Sequence, residues 1–293
     1  MNINEFAEII KERLEERTGL EVRLAEVIKN NSVTLHGISI IVPEINIAPN
    51  IYLESFFKEY ERGMSFEEIT ERIINVWERE KGHKYFDVEW FRDFEQIKER
   101  IAYKLVNYEA NRKLLEDVPH VPFLNLAKVF YVTIDCKEFG SGSILVHNNH
   151  MELWGVTTEE LDEIASINTP KLFQAEIMSM AVVMKELMQD VSEEMELLID
   201  NKMFVVTNKD RHYGAAAMCY PNIIKKFAEQ KECDLIILPS SVHEVLILPC
   251  EGEDFKRFKE MVIEVNETAL SPEEVLSNSV YIYRRELDKI VIA

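Results

Sequence analysis

Residues 220–249 read YPNIIKKFAEQKECDLIILPSSVHEVLILP, and the reading of this stretch decides the fold class. Leu235-Ile236-Ile237-Leu238 is a short apolar run bounded by Asp234 and by Pro239-Ser240-Ser241, which are turn formers. Val245-Leu246-Ile247-Leu248 repeats the pattern and stops at Pro249. Neither run alternates with polar residues, so both are expected to be strands covered on both faces. A parallel crossover needs about a dozen residues or more, so two runs this close form a hairpin. Ahead of them, Pro221 at a first helical position, with Ile223, Ile224 and Phe227 on one face, predicts a helix.

Downstream, residues 254–265 carry Phe255, Phe258, Met261, Val262 and Val265 at helical spacing. Ser271-Pro272-Glu273-Glu274 combines an N-cap, a proline at the first position and a glutamate at the third, the signature of one more helix. Residues 280–283 and 290–292 close the chain as predicted strands. Upstream, 128–135 and 143–147 are predicted strands joined through a Gly-Ser-Gly turn, and Thr157 with Glu160 caps a helix running to residue 167. The Met-rich stretch 175–198 is expected to be mostly helical. Its Met178, Met180, Met184, Met188 and Met195 are expected as pliable core. Residues 203–208 and 214–220 are predicted strands. A hairpin followed by a helix therefore recurs at 129–167, 203–231 and 234–265, as shared wiring without a sequence repeat. Successive hairpins build an antiparallel sheet with helices on one face. The expected class is α+β.

The first part of the chain reads differently. Asn2 and Glu5 form a capping box for a helix with Phe6, Ile9, Ile10, Arg13 and Leu14 on its inner stripe, ended by Gly19. Residues 20–27 and 32–42 alternate across an Asn30-Asn31 turn, a second hairpin. Pro43 and Pro49 break the chain. Residues 51–60 predict a helix carrying Phe56, Phe57 and Tyr60. Ser65 and Glu68 cap another, with Ile69, Ile73, Val76 and Trp77 at helical spacing. Residues 87–96 predict one more helix, while 97–108 fit strand and helix equally. The prolines of 115–122 (LEDVPHVP) mark a boundary. It divides the chain into a helix–hairpin–helical region, 1–118, and an α+β domain of hairpin–helix units, 119–293.

With 293 residues and 47% hydrophobic residues the chain is a folded globular type. No apolar run approaches a membrane span. The opening MNINEFAEIIKERLEERTG is acidic and amphipathic, unlike a signal peptide, which makes a cytoplasmic location the expectation. The formal net charge is −20. A field of that sign repels phosphate backbones, so no nucleic-acid partner is expected, whereas a protein partner meeting an acidic surface is. Cys136, Cys219, Cys233 and Cys250 form no CxxC pair and are expected as buried free thiols, without a zinc site.

Three polar stretches are candidate sites. Ser240, Ser241, His243 and Glu244 place hydroxyl, imidazole and carboxylate in one turn, the ingredients of a nucleophile–base pair with an orienting acid; the expected reading is turn chemistry, with the serines bonding local backbone and His243 fixing the hairpin. Asn208, Arg211, His212 and Tyr213 form a polar stretch that suits a small anion but is expected first as a hairpin loop. His147, His150 and Glu152 offer two imidazoles and a carboxylate to a metal, although Asn148-Asn149 between them reads as a hairpin tip. Gly214-Ala215-Ala216-Ala217 marks a strand that something approaches closely, a helix being the expected occupant. No phosphate-binding loop, dinucleotide fingerprint or nucleophile elbow is present. No cofactor is expected.

TLHGISI, IAPNIYLESFFKEYERGMSFEEI, the run from VTN through YGAAAMCYPNIIKKFAEQ to DLIILPSSVHEVLILP, and LSPEEVLSNSVYIYRRE together resemble a family of uncharacterised bacterial proteins known only as a domain of unknown function. The resemblance covers nearly the whole chain and implies a bacterial cytoplasmic protein. It supplies no activity, cofactor or catalytic residue. VPFLNLAKVFYVTID resembles a second such family of acidic bacterial proteins. The function expected from the sequence is a non-enzymatic binding or regulatory protein with an acidic face toward its partner. The alternative is a small-molecule enzyme of hydrolase type, with its site at the Ser240–Glu244 turn facing residues 208–213.

Overall fold

In the computed structural model the described residues are 1–43, 46, 48–80, 87–136, 140–187, 202–250, 252 and 254–293. Their strands form three antiparallel sheets among α-helices, an α+β protein. The deciding stretch folds as read. Strand β10 (Leu235–Pro239) pairs with β11 (Val245–Pro249), Ile237 opposite Ile247. These two are the central strands of a six-stranded sheet. Its other members are β8 (Ala175–Ser179), β9 (Phe204–Asn208), β12 (Tyr281–Arg284) and β13 (Lys289–Ile292), in the order β13-β12-β10-β11-β9-β8.

The absence of polar alternation has a direct cause. Leu235, Ile237, Val245 and Ile247 point into the main core, while Ile236, Leu238 and Leu248 meet Val262 of helix Phe255–Thr268 on the opposite face. Helix Phe255–Thr268 therefore covers one face of this sheet and the main core covers the other. The main core is closed by a second sheet of four strands: β4 (Ile101–Asn107), β5 (His120–Phe123), β6 (Leu126–Cys136) and β7 (Gly140–Leu145). β4 lies along one edge of β6, and β5 and β7 lie along the other. β4 precedes residue 118 and β6 follows it, so this sheet straddles the 118/119 boundary.

Residues 3–80 carry their own core. Helix Ile3–Thr18, capped by the Asn2–Glu5 box and ended by Gly19 in the left-handed region, lays Phe6, Ile10 and Leu14 on a sheet of β1 (Glu21–Ile28), β2 (Thr34–Ile41) and β3 (Ile51–Tyr52). Helix Phe66–Glu80 adds Ile69, Ile73 and Trp77. This unit meets the rest of the chain through the β1–β2 turn. Asn31 and the buried Asn111 exchange amide hydrogen bonds, Asn31 N to Asn111 Oδ1 at 2.8 Å and Asn111 Nδ2 to Asn31 Oδ1 at 3.0 Å. Asn30 Nδ2 donates to the Glu273 carbonyl at 2.7 Å, and Asn31 Nδ2 to the Pro272 and Val275 carbonyls at 2.8 and 2.6 Å.

Several local expectations give way to longer-range demands. Pro221 stands ahead of its helix, Ile223–Lys231, because Asn222 turns the chain through positive φ first. Ile51 and Tyr52 pair with β2, so the following helix is only Glu54–Glu61. The helix expected at 87–96 breaks into Val88–Arg92 and Phe94–Ile97, since the Asp93 carboxylate caps the second on Glu95 N. The ambiguous 97–108 resolves as β4, and Gly140 to Gly142 lie inside β7 rather than in a turn. Residues 175–179 are an edge strand; helix Met180–Leu187 follows, and Met188 and Met195 lie outside the described residues.

Residues 214–219 form a 3-10 helix, so the second hairpin–helix unit is absent and β9 pairs instead with β8 and β11. Residues 271–274 make a turn without a helix. Ser271 and Glu274 do form the capping contact at 2.9 Å, but Asn30, Asn31 and the Val242 amide claim the carbonyls from 272 to 275 that a helix would use. Cys219 and Cys250 are free thiols, and Cys219, Cys233 and Cys250 are all half-buried; the Cys136 side chain lies outside the described set. Burial pushes the Cys219 thiol up to about 12, which keeps it protonated and unreactive at neutral pH.

Candidate functional site

A concavity of about 850 Å³ lies where the 3–80 unit meets the four-stranded sheet. Its floor is the face of that sheet turned away from the main core, with Lys104 and Val106 from β4, Val129 and Tyr131 from β6, and Ser143 and Leu145 from β7. Strand alternation produces this face: Ile101, Tyr103 and Leu105 enter the main core, leaving Lys104 and Val106 on the other side. The roof is the β1–β2 hairpin, with Val27, Lys29 and Leu35, together with Tyr52 of β3. Lys113, Asp117 and His147 wall one side; His212, Tyr213, Val242, His243 and Glu274 wall another.

All three candidate stretches thus send at least one imidazole to a single cleft, although each was read from a separate part of the chain. The 208–213 loop and the 240–244 turn face each other directly. The Tyr213 backbone N–H donates to His243 Nδ1 at 3.2 Å, and the Thr207 hydroxyl donates to the His243 carbonyl at 2.8 Å. The Tyr213 and His243 rings stack at 5.8 Å with a 10° interplanar angle. Arg211 and Tyr213 both sit at positive φ, 50° and 52°, a conformation that costs of order 1–3 kcal/mol for a non-glycine residue. Asn208, 1% exposed, holds the loop in it by bonding both the backbone N–H and the carbonyl of His212. Arg211 points elsewhere and pairs with Glu186.

Ser241 does not meet the His243 ring. Its Oγ accepts from the His243 backbone N–H at 3.0 Å, and Ser240 donates to Glu244 at 3.3 Å. The ring's Nδ1 is occupied by Tyr213, and its Nε2 faces Glu274 Oε1 at 4.0 Å, beyond hydrogen-bond range. Neutral His243 therefore carries its proton on Nε2, as a donor without a hydrogen-bonded acceptor among the described residues.

His147 is no hairpin tip; it starts helix Asn148–Trp154, whose first amide N–H is anchored to the Asp117 carbonyl. Its Nδ1 donates to Asp117 Oδ2 at 2.7 Å, which leaves Nε2 as the lone-pair nitrogen of the neutral ring. His150 Nδ1 accepts the His147 backbone N–H at 3.1 Å and its ring lies against Phe91 and Trp154. Glu152 is two residues further on the same helix, so it faces away from His150. Among the described residues no three His, Cys, Asp or Glu side chains form a metal-holding group.

Sequence reasoning missed the lysines. Lys104 Nζ lies 4.0 Å from the centroid of Tyr213, and Lys29 Nζ 4.5 Å from that of Tyr52. Each ammonium rests on an aromatic face, and neither makes an ion pair among the described residues. The available signal was Lys104 itself, a lone charge in the apolar strand Ile101-Ala102-Tyr103-Lys104-Leu105-Val106.

Partial burial, with the His243 ring and the Lys104 ammonium nearby, pushes His212 below its ordinary value of 6.5. Burial and His147 do the same to His150, against the pull of Asp117. A lowered imidazole value means that the unfolded chain binds the proton more readily. Folding is therefore penalised as pH falls below about 6.5, and the penalty levels off once the folded-state values are passed. The lowered carboxylates Glu21, Glu68 and Asp288 act only in a more acidic window. Urea midpoints are expected to drop between pH 7.5 and 5.5, and a His212→Asn/His150→Asn double variant is expected to flatten that slope. A slope unchanged in the double variant would reject the assignment.

No described helix is long and apolar enough to cross a membrane. No curated protein and no solved structure matches this chain. A family model does match, over residues 3–285, and the chain belongs to the family of unknown function DUF5688.

Proposed function

We propose that this protein is a non-enzymatic binding protein that holds a small molecule in the cleft between the β1–β2 hairpin and the four-stranded sheet. The observation that carries the reading is convergence. Segments around residues 29, 104, 147, 212, 243 and 274 line one cleft of about 850 Å³, within the size range of small-molecule sites. An apolar floor, aromatic walls and a few fixed polar atoms are the usual composition of such sites. Strain held at Arg211 and Tyr213 by the Asn208 clamp supports the same view, since proteins keep such residues where a shape must be fixed.

The hydrolase alternative has less support. It needs an imidazole nitrogen at a serine hydroxyl, whereas Ser241 is 8% exposed and bonded to backbone, and both nitrogens of His243 are directed elsewhere. The net charge of −20 supports an acidic exterior as the surface offered to a protein partner, and disfavours nucleic acid. Free thiols at Cys219 and Cys250 fit a reducing compartment, the cytoplasm.

The test uses Ser143, exposed on β7 and lining the cleft floor. Small aromatic fragments, neutral and charged, are titrated while the amide signals of residues 104, 129, 145 and 213 are followed by NMR. Shifts confined to these positions are expected, with binding weakened roughly tenfold or more in a Ser143→Trp variant that fills the floor. Fragments that bind elsewhere, or that ignore the tryptophan, count against the cleft.

A further inference from the structure

The inference rests on the cleft reading above and names the ligand's chemical class. We infer that the ligand is a planar aromatic acid carrying a hydrogen-bond donor at the end remote from its acid group. The argument starts from two imidazoles that local hydrogen bonds hold in opposite tautomers. His147 gives its Nδ1 proton to Asp117, so its neutral ring offers a lone pair on Nε2. His243 accepts the Tyr213 N–H on Nδ1, so its neutral ring offers an N–H on Nε2. Both line the same cleft. One wall thus asks for a donor and the other for an acceptor.

The acceptor end also holds a cation, while Lys113 lies on the His147 side, the side of Asp117, and Lys29 on the roof. Lys104 lies against Tyr213, whose backbone N–H fixes His243, so ammonium and imidazole N–H belong to one corner. An acidic group meets both there, and a hydrogen bond between charged partners is among the stronger ones available. Glu274 also faces this corner: its Oε2 accepts the Ser271 hydroxyl at 2.9 Å and its Oε1 stands 4.0 Å from His243 Nε2, so an acidic ligand competes with this carboxylate for the N–H and relies on Lys104 for its charge. Glu26 and Glu273 line the roof and rim.

The distance between the two ends suits one ring system. β4 and β7 flank β6 on opposite edges, and His147 follows β7 by two residues. Lys104 stands opposite Val129 on one edge of β6 and His147 leaves the other edge just past Leu145, so their backbones are at least two strand spacings apart, about 10 Å. Val129 and Tyr131 lie on the strand between them, and Tyr52 and Leu35 lie on the roof. A flat apolar body satisfies those surfaces, and aromatic faces pair favourably with the Tyr131 and Tyr213 rings, which meet edge to face at 5.8 Å.

Three probes of nearly equal size separate the contributions: 4-hydroxybenzoate with donor and acid, 4-methoxybenzoate with the acid alone, and 4-hydroxybenzamide with the donor alone. Isothermal titration of the full chain is expected to rank the first above both others by roughly tenfold. A Lys104→Gln variant should erase the preference for 4-hydroxybenzoate over the benzamide and keep that over the methoxy compound. A His147→Phe variant should do the reverse. Because each readout is a ratio within one protein, a partly unfolded variant cannot imitate it. Equal affinity for all three, or ratios that survive both substitutions, overturns the inference. If the benzamide binds as well as 4-hydroxybenzoate and Ser143→Trp blocks both, the acid class falls and the cleft stands. Binding by none at millimolar concentration overturns both.

Discussion

Replacing Ile237 by alanine is expected to lower the unfolding free energy by about 2–5 kcal/mol. Ile237 is fully buried on the central strand β10, opposite Ile247 on one side and Tyr281 on the other. All three are among the buried residues of the main core, alongside Phe130, Val132 and Leu161. Truncation loses the transfer energy of the missing methyl groups and leaves a void that two paired strands cannot collapse to fill. Leu246→Ala is the control. It lies on the next strand, faces helix Phe255–Thr268 and is only partly buried, so a smaller loss is expected. Urea denaturation at neutral pH measures both. A loss at position 237 no greater than at position 246 would place the core elsewhere.

That contrast explains why the deciding stretch was legible. Two apolar runs too close for a crossover admit one pairing, and both faces of the sheet are covered because every position in β10 is buried. The capping boxes at Asn2–Glu5, Ser65–Glu68 and Thr157–Glu160 are equally local and form as read. What failed was decided by partners distant in sequence. Ser271-Pro272-Glu273-Glu274 has every local mark of a helix start, yet its carbonyls go to Asn30 and Asn31. Ile51 and Tyr52 suit a helix locally, yet Gly37 and Ile38 recruit them into a sheet.

The candidate site divides in the same way. Each polar loop was visible as a loop, because turn residues and histidines stand out against apolar runs. Their convergence was not visible, since the four-stranded sheet brings Lys104 and His147 to opposite sides of β6 without any marker in the residues between them. The tautomers of His147 and His243 were hidden for the same reason. Asp117 and the Tyr213 amide, each 30 residues from its histidine, set them.

The largest single-residue effect near the cleft is expected at Gly214. Its φ is not in the left-handed region, so the demand for glycine is one of space alone. A β-carbon there would stand 2.2 Å from Thr207 Oγ1, 2.5 Å from the His243 carbonyl oxygen and 2.8 Å from Asn208 N. The reading of a close approach holds at Gly214, where the element that approaches is β9 together with the His243 turn rather than a helix. Two of the three clashing atoms are backbone, one in β9 and one in the turn after β10, and neither can rotate away as a side chain would. Gly214→Ala is therefore expected to destabilise the fold by about 3 kcal/mol, at the upper end for overpacking by one carbon, and to part the 208–213 loop from the His243 turn. Removing the hydroxyl by Thr207→Ala relieves the 2.2 Å contact only and forfeits its bond to the His243 carbonyl, so the double variant should recover little. Urea midpoints of the single and double variants measure the energy, and the Tyr213 amide shift reports the parting, because that N–H is the donor to His243. Full rescue in the double variant would show that the threonine side chain was the constraint and that the backbone of β9 and the turn can move, and the cleft wall they form would then be soft rather than fixed.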